Sequence, residues 1–225
     1  MSYVLVPGAG GEAWYWHRVV PLLEERGEHA VAVQLPGADE SAGLADYADT
    51  IVAAAVGARD VTLVAQSMAG FSAPLAVDRL DVRRLVLVNA MVPAPGETAG
   101  DWWDNTGQSA ARLAKAVSDG RVLTDAFDVV GEFFHDVPED VTRAAFSRAP
   151  AGQADRPFAD PWPLFGWPDV PTSGIAGRDD RLFPLEFQQR VARERLGLEL
   201  DVLPGGHLLA FGQPEALVEH LLALG

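Results

Sequence analysis

A serine, an aspartate and a histidine in this 225-residue chain each follow a short apolar run, where polar side chains can meet at one edge of a sheet. They are Ser67, Asp180 and His207. A serine hydroxyl is a poor nucleophile near neutral pH, but an imidazole can take its proton, and a carboxylate can orient the imidazole and stabilise its cation. These three residue types are therefore the ones that nucleophilic catalysis by serine requires.

The segment around Ser67 has the pattern of a strand, a tight turn and a helix. Ala65-Gln66-Ser67-Met68-Ala69 has a small residue two positions before the serine and another two positions after it. This spacing matches the G-x-S-x-G nucleophile elbow, with alanine at both glycine positions. The positions must be small because the serine lies on a strained turn and the helix leaves close to the strand.

Alternating apolar and amphipathic runs predict the elements that carry these residues. Strands are expected at Tyr3–Val6, Ala30–Leu35, Val61–Ala65, Leu85–Val88, Thr172–Ala176 and Leu198–Leu203. Helices are expected at Trp16–Arg26, Leu44–Val56, Ser67–Leu80 with a break at Pro74, Leu185–Leu196, and from Pro214 onward. This alternation predicts an α/β fold: a mostly parallel sheet of about six strands with helices on both faces. The carboxyl ends of parallel strands share one edge, so the three polar residues are expected to meet there.

The alternation stops between residues 93 and 168, which we interpret as a helical insertion on the sheet. Helical patterns fall at Thr106–Ser118, Leu123–Phe134 and Glu139–Arg148. We find no repeat or linker, so we expect one domain over residues 1–225, with a core of 1–92 and 169–225. Most aromatic side chains of the insertion are expected in the core, and the rest in a binding cavity. The predicted pocket residues are Gly10, Trp102, Trp103, Phe134, His135, Trp162 and Leu208.

Composition narrows the range of functions. The formal net charge is −15 and Lys115 is the only lysine, which argues against nucleic acid and anionic membranes as partners. The chain has no cysteine, and no His, Asp or Glu cluster has metal-ligand spacing, so we expect neither a metal nor a cofactor. We see no signal-peptide pattern and no apolar run long enough to span a bilayer, and we expect a soluble cytoplasmic protein.

Several motifs together point to one family. They are Val4–Ala9, Trp14–Trp16, Val20–Leu23, Gln66–Gly70, Gly177–Asp180 with Pro184, and Gly206–His207 with Pro214–Glu215. With these motifs and the chain order Ser, Asp, His, the sequence resembles α/β-hydrolases of the branch that contains plant methyl esterases, hydroxynitrile lyases and related bacterial esterase-like proteins. The resemblance covers essentially the whole chain and is weakest across the insertion.

The resemblance implies a role for each matching residue. Ser67 would be the nucleophile, His207 the general base and Asp180 the residue that orients it. Asp179 competes for the last role, but the family register of Gly, two residues, Asp and then Pro four positions later selects Asp180. The backbone N–H groups of Ala9 and Met68 would form the oxyanion hole, and the insertion would be a cap over the active site.

The sequence also departs from the family pattern. Pro7 precedes Gly8 where the family usually has histidine, and Gln66 stands where a histidine usually precedes the serine. Proline has no N–H to donate. The expected donor, however, is Ala9, so the oxyanion hole does not depend on residue 7.

These features predict a serine hydrolase that cleaves a small, largely apolar ester through an acyl-enzyme, as a monomer or homodimer. Three alternatives stay open. The first is a hydroxynitrile lyase, although Leu208 follows His207 where those lyases have a lysine. The second is an acyl-transfer or cyclising enzyme that uses the same residues. The third is a small-molecule binder without catalysis.

Overall fold

The computed structural model of the protein describes residues 1–124, 126–149 and 151–225. These residues contain a six-stranded sheet with the spatial order β2-β1-β3-β4-β5-β6, in which every neighbouring pair is parallel. The predicted parallel sheet is confirmed. Its strands are β1 Ser2–Val6, β2 His29–Ala32, β3 Val61–Gln66, β4 Val82–Val88, β5 Thr172–Gly177 and β6 Asp201–Leu203.

Helices cover both faces of this sheet. Side chains alternate along a strand, so Tyr3 and Leu5 of β1 face one buried cluster while Val4 and Val6 face the other. The first cluster includes residues of α1 and α11, and the second includes residues of α2 and α9. The helices are α1 Val19–Glu25, α2 Leu44–Ala54, α3 Ala69–Ser72, α4 Ala99–Thr106, α5 Gln108–Ser118, α6 Val129–Phe133, α7 Glu139–Ser147, α8 Arg156–Ala159, α9 Leu185–Leu196, α10 Leu209–Gly212 and α11 Pro214–Ala223.

The strand order explains where a ligand can enter. After β1 the chain crosses to β2 on one side, and after β2 it returns to β3 on the other side of β1. The loops that follow β1 and β3 therefore leave in opposite directions, and open α/β sheets bind ligands in the crevice at this point. Gly8 and Ala9 follow β1, and Ser67 follows β3. Among the described residues, we find no helix long and apolar enough to cross a bilayer.

Two predicted strands are shorter in the structure because their ends make other hydrogen bonds. β2 ends at Ala32, and the Leu35 N–H donates to the Gly11 carbonyl of the loop after β1. β6 begins at Asp201, because the Leu198 N–H donates instead to the Ala192 carbonyl in the last turns of α9. The helix predicted after Ser67 is broken as expected, with α3 followed by a 3-10 stretch over Ala73–Arg79.

The segment 93–168 contains α4 and α8, which we did not predict, and shorter versions of the predicted helices. Thr98 caps α4 by accepting a hydrogen bond from the Asp101 N–H at 2.9 Å. Gly107 ends α4 at a φ of +67°, so the helix predicted from Thr106 begins at Gln108. The prediction Leu123–Phe134 contains only α6, and its residue 125 lies outside the described residues. The division into core and insertion stays a prediction.

A buried ion pair ties the start of this segment to α9. The carboxylate of Glu97 binds the guanidinium of Arg195, with an Nη2–Oε1 distance of 2.9 Å, and also accepts from the Asn105 amide and the Ala94 N–H. Its side chain is only 4% exposed. Burial alone would raise the pKa of Glu97, but these hydrogen bonds outweigh burial and hold the pKa below its ordinary value.

We expect Glu97→Gln to lower the free energy of unfolding at pH 7 by about 1.5–3 kcal/mol, because it leaves the half-buried Arg195 without its charged partner. A lowered pKa favours folding above the carboxyl's unfolded pKa and loses this contribution as the pH falls through the folded value. The difference in unfolding free energy between variant and wild type should therefore shrink as the pH is lowered from 5 to 3. Urea unfolding at several pH values measures it.

The matched control is Glu199→Gln, which removes the exposed partner of Arg193 and should not change stability measurably. An equal effect of the two substitutions, or a constant effect of Glu97→Gln across the pH range, would contradict a stabilising role of the ionised Glu97 carboxylate.

Candidate active site

Ser67 lies on a sharp turn between β3 and α3. Its φ is +53°, a left-handed conformation that is unusual for a residue other than glycine. Its N–H donates to the Val88 carbonyl at 3.1 Å, and its carbonyl accepts from the N–H groups of Gly70 and Met91. Gly70 has to be glycine, since a Cβ there would lie 1.8 Å from the Met91 carbonyl oxygen. The turn has the geometry expected of a nucleophile elbow.

A hydrogen-bonded relay runs from Asp180 through His207 to Ser67. The Nδ1 of His207 lies 2.7 Å from the Asp180 Oδ2, and its Nε2 lies 3.1 Å from the Ser67 Oγ. Asp180 and His207 are both almost completely buried. The other oxygen of Asp180 accepts from the N–H groups of Leu182 and Phe183, at 2.9 Å each. The carboxylate is thus fixed on one side while it faces the imidazole on the other.

Asp179, the competing acid, is exposed, and its carboxylate accepts from the Gly205 N–H at 3.3 Å. The structure therefore brings Asp180, and not Asp179, to His207.

Four residues that we did not predict hold this relay in place. Asn89, with a φ of +44°, donates to the carbonyls of Gly206 and His207 and accepts from the N–H of Gly177, so it joins the ends of β4 and β5 to the His207 loop. A sequence signal existed for Asn89, since it is the polar residue directly after β4. Of the other three, Gln66 was marked by its departure from the family pattern, whereas Asp136 and Gln188 gave no signal that separates them from ordinary polar residues.

Each of these three side chains makes a specific contact. Gln188 lies 3.3 Å from the Asp180 Oδ2, and Asp136 accepts from the Gly206 N–H at 2.6 Å. Gln66 accepts from the Gly8 N–H at 3.0 Å, and its amide nitrogen lies 3.5 Å from the His207 carbonyl. Gln66 thus links the loop after β1 to the histidine loop.

The predicted oxyanion donors face the same space as the serine. Ala9 and Met68 line one cavity with Ser67. Their neighbours Gly8 and Gly10 donate to the side chains of Gln66 and Gln153. The N–H groups of Ala9 and Met68, in contrast, donate to no acceptor within the described residues. Two free backbone donors beside a serine are the arrangement that binds an oxyanion in acyl transfer.

Known proteins show the same architecture. Residues 3–220 match the sequence model of the alpha/beta hydrolase family. The chain belongs to this family.

Among relatives of this chain, a probable esterase of Oryza sativa subsp. indica is 36% identical over 111 residues, or 44% of this chain and 42% of the rice protein. Methyl jasmonate esterase 1 of Vitis vinifera is 31% identical over 105 residues, or 41% of this chain and 40% of that protein. The chain therefore matches less than half the length of these curated relatives. The crystal structure of polyneuridine aldehyde esterase superposes with a TM-score of 0.79 at 21% identity, over 99% of this chain and 98% of that one.

The cavity that contains Ser67 has a volume of about 360 Å³. Its floor is formed by the loops after β1 and β3, and most of its wall comes from the segment 93–168. Apart from Ser67, the polar side chains among its described lining residues are Gln108 and Arg112. The remaining lining residues are Ala9, Met68, Met91, Trp103, Phe127, Phe133, Phe158 and Leu182.

A second cavity of about 480 Å³ adjoins the first and shares Ala9 and Phe133 with it. The ring of Phe133 also lies 5.4 Å from the imidazole of His207. Tyr15 lines this second cavity, and complete burial raises the pKa of its hydroxyl well above the ordinary range. The two cavities therefore meet beside the relay, with Phe133 as their common wall.

The predicted pocket residues divide between these places. Trp103 lines the cavity with Ser67, whereas Gly10, Phe134 and Leu208 line the adjoining one. The prediction is wrong for Trp102 and Trp162, which line neither cavity and are about 1% exposed.

Both indoles fill core positions and donate their N–H groups to main-chain carbonyls, Trp102 to Val92 and Trp162 to Phe71.

His135 lines neither cavity and lies 3.9 Å from Asp136. Burial lowers the pKa of His135, and the nearby Asp136 opposes this shift. Among the described residues, no cluster of three or more His, Asp or Glu could hold a metal ion.

Substitution of Gly8 tests how tightly the loop after β1 packs on the elbow. A Cβ at this position would lie 2.8 Å from the Ser67 Cβ and 2.5 Å from the Gln66 Oε1. We expect Gly8→Ala to lower the free energy of unfolding by about 1–3 kcal/mol through overpacking, as measured by urea denaturation. Gly166→Ala is the control, since no heavy atom lies within 4 Å of its Cβ. Equal stability of the two variants would mean that the loop is not packed against Ser67 in this way.

Proposed function

We propose that this protein is a serine hydrolase that cleaves a small, largely apolar ester through an acyl-enzyme. The observation that carries the proposal is the relay in which Asp180, His207 and Ser67 are joined by contacts of 2.7 and 3.1 Å. A serine on a strained turn, hydrogen-bonded to a buried histidine, needs a base, an orienting acid and an oxyanion hole to be reactive. Each of these has a candidate here.

The proposed reaction proceeds in two halves. Ser67 Oγ attacks the ester carbonyl while Nε2 of His207 accepts its proton, and Asp180 stabilises the resulting imidazolium. The N–H groups of Ala9 and Met68 bind the oxyanion of the tetrahedral intermediate. His207 then donates the proton to the departing alcohol, which leaves the acyl group on Ser67. Water, deprotonated by His207, releases the acid in the second half.

The walls of the cavity support an apolar substrate. Its lining is mainly aromatic and aliphatic, and a volume of about 360 Å³ suits a small molecule. The relatives named above are described as esterases, which supports an ester as the scissile group. A hydroxynitrile lyase is less well supported, because the side chain after His207 is Leu208, and the ammonium of Lys115 is bound to Asp119 at the C-terminal end of α5.

We expect Ser67→Ala to lower the rate of p-nitrophenyl butyrate hydrolysis by at least about 10⁴-fold, because it removes the nucleophile. Ser72→Ala is the matched control. Ser72 is also a buried serine and is the last residue of α3, but its hydroxyl has no hydrogen-bond partner within the described residues. It should retain the wild-type rate.

Labelling by a fluorophosphonate probe gives an independent measure, since the probe reacts only with an activated serine. Wild type and Ser72→Ala should be labelled and Ser67→Ala should not. Undiminished hydrolysis by Ser67→Ala would overturn the proposal. A folded wild-type protein that is neither labelled nor active would favour the small-molecule binder instead.

A further inference from the structure

One side chain in the wall of the Ser67 cavity does not fit a purely apolar substrate. Arg112 lines this cavity and is the only charged residue among its described lining residues. Gln108, one helical turn earlier on α5, lines it as well, and its amide nitrogen is fixed on the Leu182 carbonyl. Residues four apart lie on the same face of a helix, so α5 presents a short polar stripe to the cavity.

Neighbouring groups hold the Arg112 guanidinium in place. Its Nε lies 3.1 Å from the Oε2 of Glu132, whose side chain is 3% exposed. The ring of Phe127 lies under the guanidinium, 4.9 Å from its centre. Contacts on one edge and one face fix the orientation of the group before a ligand arrives. No described residue accepts a hydrogen bond from the two Nη atoms of Arg112.

Among the described residues, positive charge is in excess around Arg112. The other oxygen of Glu132 binds Arg121 at 2.8 Å, so one buried carboxylate serves two guanidinium groups. Asp119 is shared between Arg121 and Lys115. Asp128 and Arg181 line a further cavity beside Arg112, and their opposite charges offset each other. A cation at the edge of an apolar cavity binds an anion more strongly than it would in water. The surplus charge therefore favours an anionic ligand at Arg112.

Starting from the proposed hydrolase function, we propose that Arg112 is a specificity-determining residue that binds a carboxylate at the end of the substrate remote from the scissile ester. A guanidinium presents parallel N–H donors that match the two oxygens of a carboxylate. The substrate class is then an ester with an apolar middle and one free carboxylate. Charge-assisted hydrogen bonds of this type should strengthen binding about 10- to 100-fold.

The described lining residues of the adjoining cavity offer no equivalent group. Arg148 lines it, but its guanidinium lies 3.5 Å from the carboxylate of Glu12 and over the ring of Trp14. Among the described ion pairs Glu12 serves Arg148 alone, whereas Glu132 is shared by Arg112 and Arg121, so Arg148 has less to gain from an anionic ligand. The carboxylate is therefore assigned to the cavity with Ser67.

The test measures binding, so it does not depend on turnover. In a Ser67→Ala background, the Kd is measured by calorimetry for monomethyl adipate and 6-acetoxyhexanoate, which carry the carboxylate on the acyl and the alcohol side. Methyl hexanoate and hexyl acetate are their neutral partners. At least one anionic ester should bind 10- to 100-fold more tightly than its neutral partner, and adding Arg112→Met should abolish that ratio.

Arg121→Met is the matched control, because Arg121 binds the same Glu132 but does not line the Ser67 cavity. It should leave the ratio intact. Arg112→Lys keeps the charge without the paired donors and should retain part of the ratio. It provides a second comparison if Arg112→Met does not fold. Equal binding of anionic and neutral esters, or an equal loss in both methionine variants, would overturn the inference. Absent hydrolysis and absent probe labelling of Ser67 would instead overturn the proposed function, whatever the binding ratio.

Discussion

The backbone conformation of Ser67 is the constraint on which the rest of the site depends. A φ of +53° in a residue other than glycine costs roughly 1–2 kcal/mol, so the surrounding structure has to maintain it. The hydrogen bonds that do so come from Val88 and Met91 around the end of β4, and from Gly70 in the first turn of α3. Because β3 and β4 lie in the middle of the sheet, the turn cannot relax without disturbing buried strands. The same turn projects the hydroxyl toward His207 at the edge of the sheet.

Buried amides extend this constraint to the other loops. A buried polar group has to be satisfied, and a network that is fully satisfied is rigid. Asn89 bonds to both the β5 end and the histidine loop, while Gln66 reaches the loop after β1 and lies near the His207 carbonyl. Glutamine at position 66, where the resembled family usually has histidine, therefore serves a structural purpose here. These side chains therefore hold the relay and the loop after β1 in fixed relative positions.

The sequence predicts the sheet well because the periodicity and the number of apolar residues decide where the strands form. Runs such as Val61–Ala65 are too apolar for an exposed element, and the polar residues at their ends already mark one edge. The orientation of a single side chain in the segment 93–168 is a different matter. Trp102 and Phe133 are both aromatic residues on short helices, yet one fills the core and the other divides two cavities. Whether such a side chain lies in the core or lines a cavity depends on tertiary packing, and the periodicity of the sequence carries no information about that packing. Arg112 was missed for the same reason.

The position of Phe133 relates the two cavities to the proposed chemistry. The acyl and alcohol halves of an ester leave the carbonyl carbon in different directions, so a serine hydrolase needs space on two sides of its nucleophile. The two cavities meet at Ala9, a proposed oxyanion donor, and at Phe133, whose ring lies against His207. A carbonyl held by Ala9 would lie at their junction. In the proposed reaction, the apolar walls of both cavities lower the dielectric constant around the ester, which strengthens the electrostatic interactions of the relay with the developing charge.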